Sequence, residues 1–92
     1  MENIRSLCKK HKVGNLFVFG SVLSEKFTDV SDIDFVVSFK DIELLDYADN
    51  YFDFKFSLED LLKRKVDLLE EQAIRNPYLR KSIDTSKLLI YG

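Results

Sequence analysis

Asp32-Ile33-Asp34-Phe35-Val36-Val37-Ser38-Phe39 is the stretch on which the fold turns. Phe35, Val36 and Val37 favour extended backbone, so the segment reads as a β-strand. Its start is unusual, because two carboxylates alternate with one isoleucine. In a strand, residues two apart project to the same face with Cα atoms about 6.6 Å apart, so Asp32 and Asp34 point together. Two carboxylates held that close repel one another unless a cation lies between them.

Upstream, Leu16-Phe17-Val18-Phe19 is a short apolar run that ends at Gly20-Ser21, which reads as a buried strand followed by a turn. Before it, Ile4, Leu7 and Cys8 recur at helical spacing within Glu2 to Val13. Gly14-Asn15 is the expected stop of that helix. Val22 to Phe27 is compatible with a short helix and Thr28 to Ser31 with a loop.

Downstream, Asp41 is expected to cap a helix that carries Leu44, Tyr47, Ala48, Tyr51, Phe54, Leu58, Leu61 and Leu62 at helical spacing. Ser57 could divide it in two. Lys65-Val66-Asp67-Leu68-Leu69 reads as a third strand with an acid at its centre. Asn76-Pro77 is a cap followed by a first-turn proline, which starts a helix running to about Ile83. Leu88-Leu89-Ile90, within Lys87 to Tyr91, suggests a last strand. The order of elements gives an α/β (α+β) domain spanning residues 1–92, with a small mixed β-sheet flanked by helices on one face.

Composition narrows the function. Ninety-two residues with 46% apolar side chains suit one globular domain. Lys and Arg number 14 against 16 Asp and Glu, a net charge of −2, which argues against binding nucleic acid through its phosphates. No apolar run approaches a membrane span, and no apolar segment follows the N-terminus as in a signal peptide. The one cysteine, Cys8, cannot form an internal disulfide, and a reduced, cytoplasmic setting is expected.

Three features in order carry chemistry: Gly20-Ser21, then Asp32 and Asp34, then Asp67. If the second and third strands are neighbours, about 4.8 Å apart, the three carboxylates converge. Carboxylates without His or Cys are hard ligands that suit Mg²⁺, which shares its remaining positions with water and substrate phosphates. Two such ions form the clamp used for in-line phosphoryl or nucleotidyl transfer. Gly20 permits close backbone approach, and the Ser21 hydroxyl with neighbouring N–H groups can hold a phosphate. Taken singly, each feature has a plain structural explanation; their conjunction points to a site. His11, between Lys10 and Lys12, is expected on the surface at a helix end, and Cys8 in the core. Phe17, Phe19, Phe35 and Phe39 are expected core residues. The aromatics from Tyr47 to Phe56 outnumber what one helix face buries. Asp49, Asp53, Glu59 and Asp60 read as a solvated face.

Gly20-Ser21, Ser31-Asp32-Ile33-Asp34-Phe35-Val36-Val37 and Val66-Asp67-Leu68-Leu69 together resemble the minimal nucleotidyltransferases of the DNA polymerase β-like superfamily. The resemblance implies that Gly20 and Ser21 hold the triphosphate of ATP. It implies that Asp32 and Asp34 bind two Mg²⁺ ions, and that Asp67 completes the metal site and helps activate the acceptor hydroxyl. Many relatives carry Arg soon after Gly-Ser; here the nearest cation is Lys26. Members this short resemble antitoxins that place AMP on a helical HEPN toxin, which implies a HEPN-type partner protein. A second class of function stays open: a binding subunit that neutralises such a partner by complex formation alone. A homo-oligomer is also compatible with the sequence.

Overall fold

A computed structural model describes residues 2–19 and 32–92. The chain order is α1 (Glu2–Lys10), β1 (Val13–Phe19), β2 (Ile33–Phe39), α2 (Leu44–Leu62), β3 (Val66–Glu70), a 3₁₀ turn (Glu71–Ala73), α3 (Pro77–Ser86) and β4 (Leu88–Tyr91). Among the described residues the strands form one sheet in the order β3-β2-β1-β4. β1 is antiparallel to both β2 and β4, whereas β2 and β3 run parallel, so the sheet is mixed.

The alternation of each strand sorts its side chains. Leu16, Val18, Phe35, Val37, Val66 and Leu68 face a core that also takes Ile4 and Cys8 of α1 and Phe54 and Leu58 of α2. The opposite face carries Phe17, Phe19, Asp34, Val36, Asp67 and Leu69, which occupy the alternate positions. Lys87 lays its ammonium 4.4 Å from the centre of the Phe17 ring on that second face.

Several sequence expectations shift by a turn. α1 ends at Lys10, and Lys12 takes the left-handed backbone (φ 59°) that stops it. Gly14 and Asn15 therefore belong to β1, which begins at Val13. Asp41 also has a positive φ (55°) and lies before the helix; Glu43 occupies the cap position without a side-chain hydrogen bond. α2 runs unbroken through Ser57. A serine inside a helix costs only about 0.5 kcal/mol. Burying Phe54 and Leu58 on either side contributes about 1.5–3 kcal/mol each, and that burial needs one straight helix. α3 starts as expected, with the Asn76 side chain accepting from the Tyr78 and Leu79 N–H groups, but it continues to Ser86.

His11 departs furthest from expectation. It lies in the turn after α1 and is buried, not exposed. Its Nδ1 donates to the Leu7 carbonyl at 2.8 Å, and Nε2 meets Asp53 Oδ2 of α2 at 2.9 Å. Asn50 Nδ2 donates to the His11 carbonyl at 2.8 Å, so α2 grips the end of α1 at two points. Phe35 is the one fully buried ring of its expected group; Phe17, Phe19 and Phe39 are partly buried.

Candidate active site

β2 and β3 are parallel neighbours in the register Ile33 to Val66, Asp34 to Asp67 and Phe35 to Leu68. The two acids are thus cross-strand partners on the face away from the core. Asp32 lies two residues before Asp34 and is exposed, Asp34 is partly buried, and Asp67 is exposed. The Asp34 carboxyl is pushed above its ordinary value, first by burial and then by the charges of Asp67 and Asp32.

β1 adds the third member of this row, because Phe19 is the Cα partner of Asp34. Phe19 is the last described residue of β1; Gly20, Ser21 and Lys26, named above as phosphate-side residues, lie outside the described residues.

The donor chemistry fits a hard divalent cation. The acids are carboxylates without an imidazole or thiolate among them, and their mutual repulsion is what a cation would relieve. Among the described residues no three His, Cys, Asp or Glu side chains are gathered so that they could hold a metal ion, so Asp32, Asp34 and Asp67 do not form a ready three-carboxylate site in this structure. Mg²⁺ is commonly held by one or two carboxylates, such as the paired Asp34 and Asp67, and keeps its other positions for water and substrate phosphates.

Two residues of α2 reach the backbone on either side of Asp67. The Val66 N–H donates to Glu59 Oε2 at 3.0 Å, and the Tyr51 hydroxyl donates to the Leu68 carbonyl. Glu59 is thus more than a solvated side chain. Nothing in its spacing marked it, since the bond spans a helix end, a turn and a strand start. Tyr51 was legible only as a residue on the apolar stripe. Its hydroxyl is held above its ordinary pKa by burial, then by Asp67 and Glu70, and so stays a donor. Nearby, burial and then Glu70 push the Tyr47 hydroxyl up to about 12.

Residues 2–92 match the family described as "Polymerase beta, Nucleotidyltransferase". The chain belongs to this nucleotidyltransferase family. It is similar to a candidate protein adenylyltransferase of Methanocaldococcus jannaschii, with 44% identity over 85 residues that cover 92% of this chain and 82% of the relative. A solved structure of a candidate minimal nucleotidyltransferase shares 30% identity with a TM-score of 0.77, covering 97% of this chain and 87% of the other. The same fold occurs in the MNT antitoxin complex with a tri-AMPylated HEPN toxin of Shewanella oneidensis. There the TM-score is 0.66 at 20% identity, over 99% of this chain and 68% of that one. The polymerase β-like fold and the nucleotidyltransferase class expected from the motifs are thereby borne out.

Proposed function

We propose that this nucleotidyltransferase is a Mg²⁺-dependent protein adenylyltransferase of the antitoxin type, which moves AMP from ATP to a hydroxyl of a helical HEPN partner. The observation that carries the reading is the cross-strand pairing of Asp34 with Asp67, with Asp32 two residues before Asp34 in the chain. The Methanocaldococcus relative supports protein adenylylation by its name, and the Shewanella complex supports a HEPN partner.

Asp32, Asp34 and Asp67 would hold the metal, with Gly20 and Ser21 on the triphosphate. Bound there, divalent cations supply charge stabilisation to the attacking and leaving oxygens. The acceptor oxygen forms a bond to the α-phosphorus while the bond to the bridging oxygen breaks, and pyrophosphate leaves with that electron pair. Asp67, exposed beside Asp34, receives the hydroxyl proton directly or through water. No helix among the described residues is long and apolar enough to cross a membrane.

The test is incubation with α-labelled ATP, Mg²⁺ and the partner protein, read by mass spectrometry. The expected result is AMP on a partner hydroxyl, lost in Asp32→Asn and Asp34→Asn. Partner neutralisation by wild-type and both variants alike, with no AMP added, would overturn the enzymatic reading in favour of a binding subunit.

A further inference from the structure

β3 is an edge strand, and its backbone groups alternate between its neighbour and the open side. The Ile33 N–H donates to the Lys65 carbonyl at 3.1 Å, so Lys65 faces β2. By alternation Asp67 also directs its backbone to β2, whereas Val66 and Leu68 turn theirs outward. An edge left open in this way is exposed to slippage and fraying.

In this chain the open side is closed by α2. Glu59 takes the outward N–H of Val66, and Tyr51 gives its hydroxyl to the outward carbonyl of Leu68. The two contacts fall one residue before and one residue after Asp67. The side chains of Val66 and Leu68 are buried against the same core that α2 covers. Asp67 itself is exposed. Its position therefore depends on how its two neighbours are held.

We propose that Tyr51 and Glu59 are positioning residues: together they pin β3 across Asp67 so that its carboxylate stays in register with Asp34 for metal binding and transfer. The proposal rests on the nucleotidyltransferase reading of the aspartates. Its roles are distinct from those of the acids, since neither residue needs to touch metal or nucleotide. Glu59 acts as an acceptor, which Gln can replace through its amide oxygen. Tyr51 acts as a donor, which Phe cannot replace although its ring fills the same space.

The experiment uses the full chain in three variants, Tyr51→Phe, Glu59→Ala and Glu59→Gln. Mn²⁺ titration is followed by paramagnetic broadening of NMR signals, alongside amide exchange in β1 and β3 and the Mg²⁺ dependence of AMP transfer. The expected result is a Mn²⁺ midpoint weakened about tenfold in Tyr51→Phe and Glu59→Ala, the lower end of what residues supporting a metal ligand contribute. Exchange should quicken at Val66 to Leu69 and stay unchanged in β1, and Glu59→Gln should return the Mn²⁺ midpoint and transfer close to wild type. Wild-type Mn²⁺ midpoints in both Tyr51→Phe and Glu59→Ala would overturn the inference while leaving the proposed function intact. Wild-type protein that neither binds Mn²⁺ at the aspartates nor transfers AMP would overturn the functional reading and the positioning role with it.

Discussion

Asp34 and Asp67 are direct partners across the parallel β2–β3 ladder, and both project from the face that the core does not use. The Asp34 carboxyl is pushed above its ordinary value by burial first, and then by the neighbouring charges of Asp67 and Asp32. A folded-state pKa above the unfolded value means that the folded protein binds the proton more tightly. The stabilising effect of that proton is complete below the ordinary carboxylate pKa and is lost as pH rises through the folded value. At neutral pH the ionised group therefore works against folding.

Asp34→Asn should abolish AMP transfer and, without divalent cations, raise the melting temperature at pH 7. The gain should vanish near pH 3, where wild-type Asp34 is protonated. Calorimetry at the two pH values checks the sign: an Asp34→Asn protein less stable than wild type at pH 7 would contradict the cost assigned to the buried, like-charged carboxylate. Mg²⁺ should raise the melting temperature of wild type and not that of the variant.

Cys8 should be inert in the native protein. Its side chain is fully buried, and burial pushes the thiol up to about 11, so little thiolate exists near neutrality. Ellman's reagent should label it only after denaturation. Rapid labelling of the folded chain at pH 7.5 would show that α1 is not packed as described.

His11→Ala should destabilise the fold by about 2–4 kcal/mol, because it opens a cavity against Phe54 and removes the ring's bonds to the Leu7 carbonyl and Asp53, although the backbone N–H of residue 11 still reaches that carbonyl. Asp53→Ala should cost below about 1 kcal/mol, since its side chain is 68% exposed and solvent screens the pair. Urea unfolding of the two variants checks the ranking, and equal losses would contradict it.

The caps of two helices make opposite predictions. Asn76→Ala should lose about 1 kcal/mol, the ordinary contribution of an N-cap that accepts backbone hydrogen bonds. Lys63→Gly should gain about 0.5–1 kcal/mol, because Lys63 ends α2 in the left-handed region (φ 57°) that glycine enters without strain. Thermal melts of both variants suffice to test the signs.

Much of the site was legible because its logic is local. The two-residue period of a strand sets the face of Asp34 from sequence alone, whereas Asp32, expected in the same strand, lies one residue before β2, which begins at Ile33. Asn76-Pro77 starts a helix by its own cap geometry. The apolar spacing of Tyr51, Phe54, Leu58 and Leu61 marks α2, although not whether Ser57 interrupts it.

What only the tertiary structure decided is the set of relationships between segments far apart in the chain. A one-residue slip of β3 would turn Asp67 into the core; the alternation of Val66, Asp67 and Leu68 opposes it, but only once a core exists on one face of the sheet. The register follows from burying Val66 and Leu68 under α2 and from the bonds that Glu59 and Tyr51 make to the strand's outer edge. His11 likewise turns inward because Leu7 and Asp53 wait there, although its neighbours in sequence are lysines. The sequence by itself determined which residue types the site has and which strand faces they share. Packing between distant elements determined which of them meet.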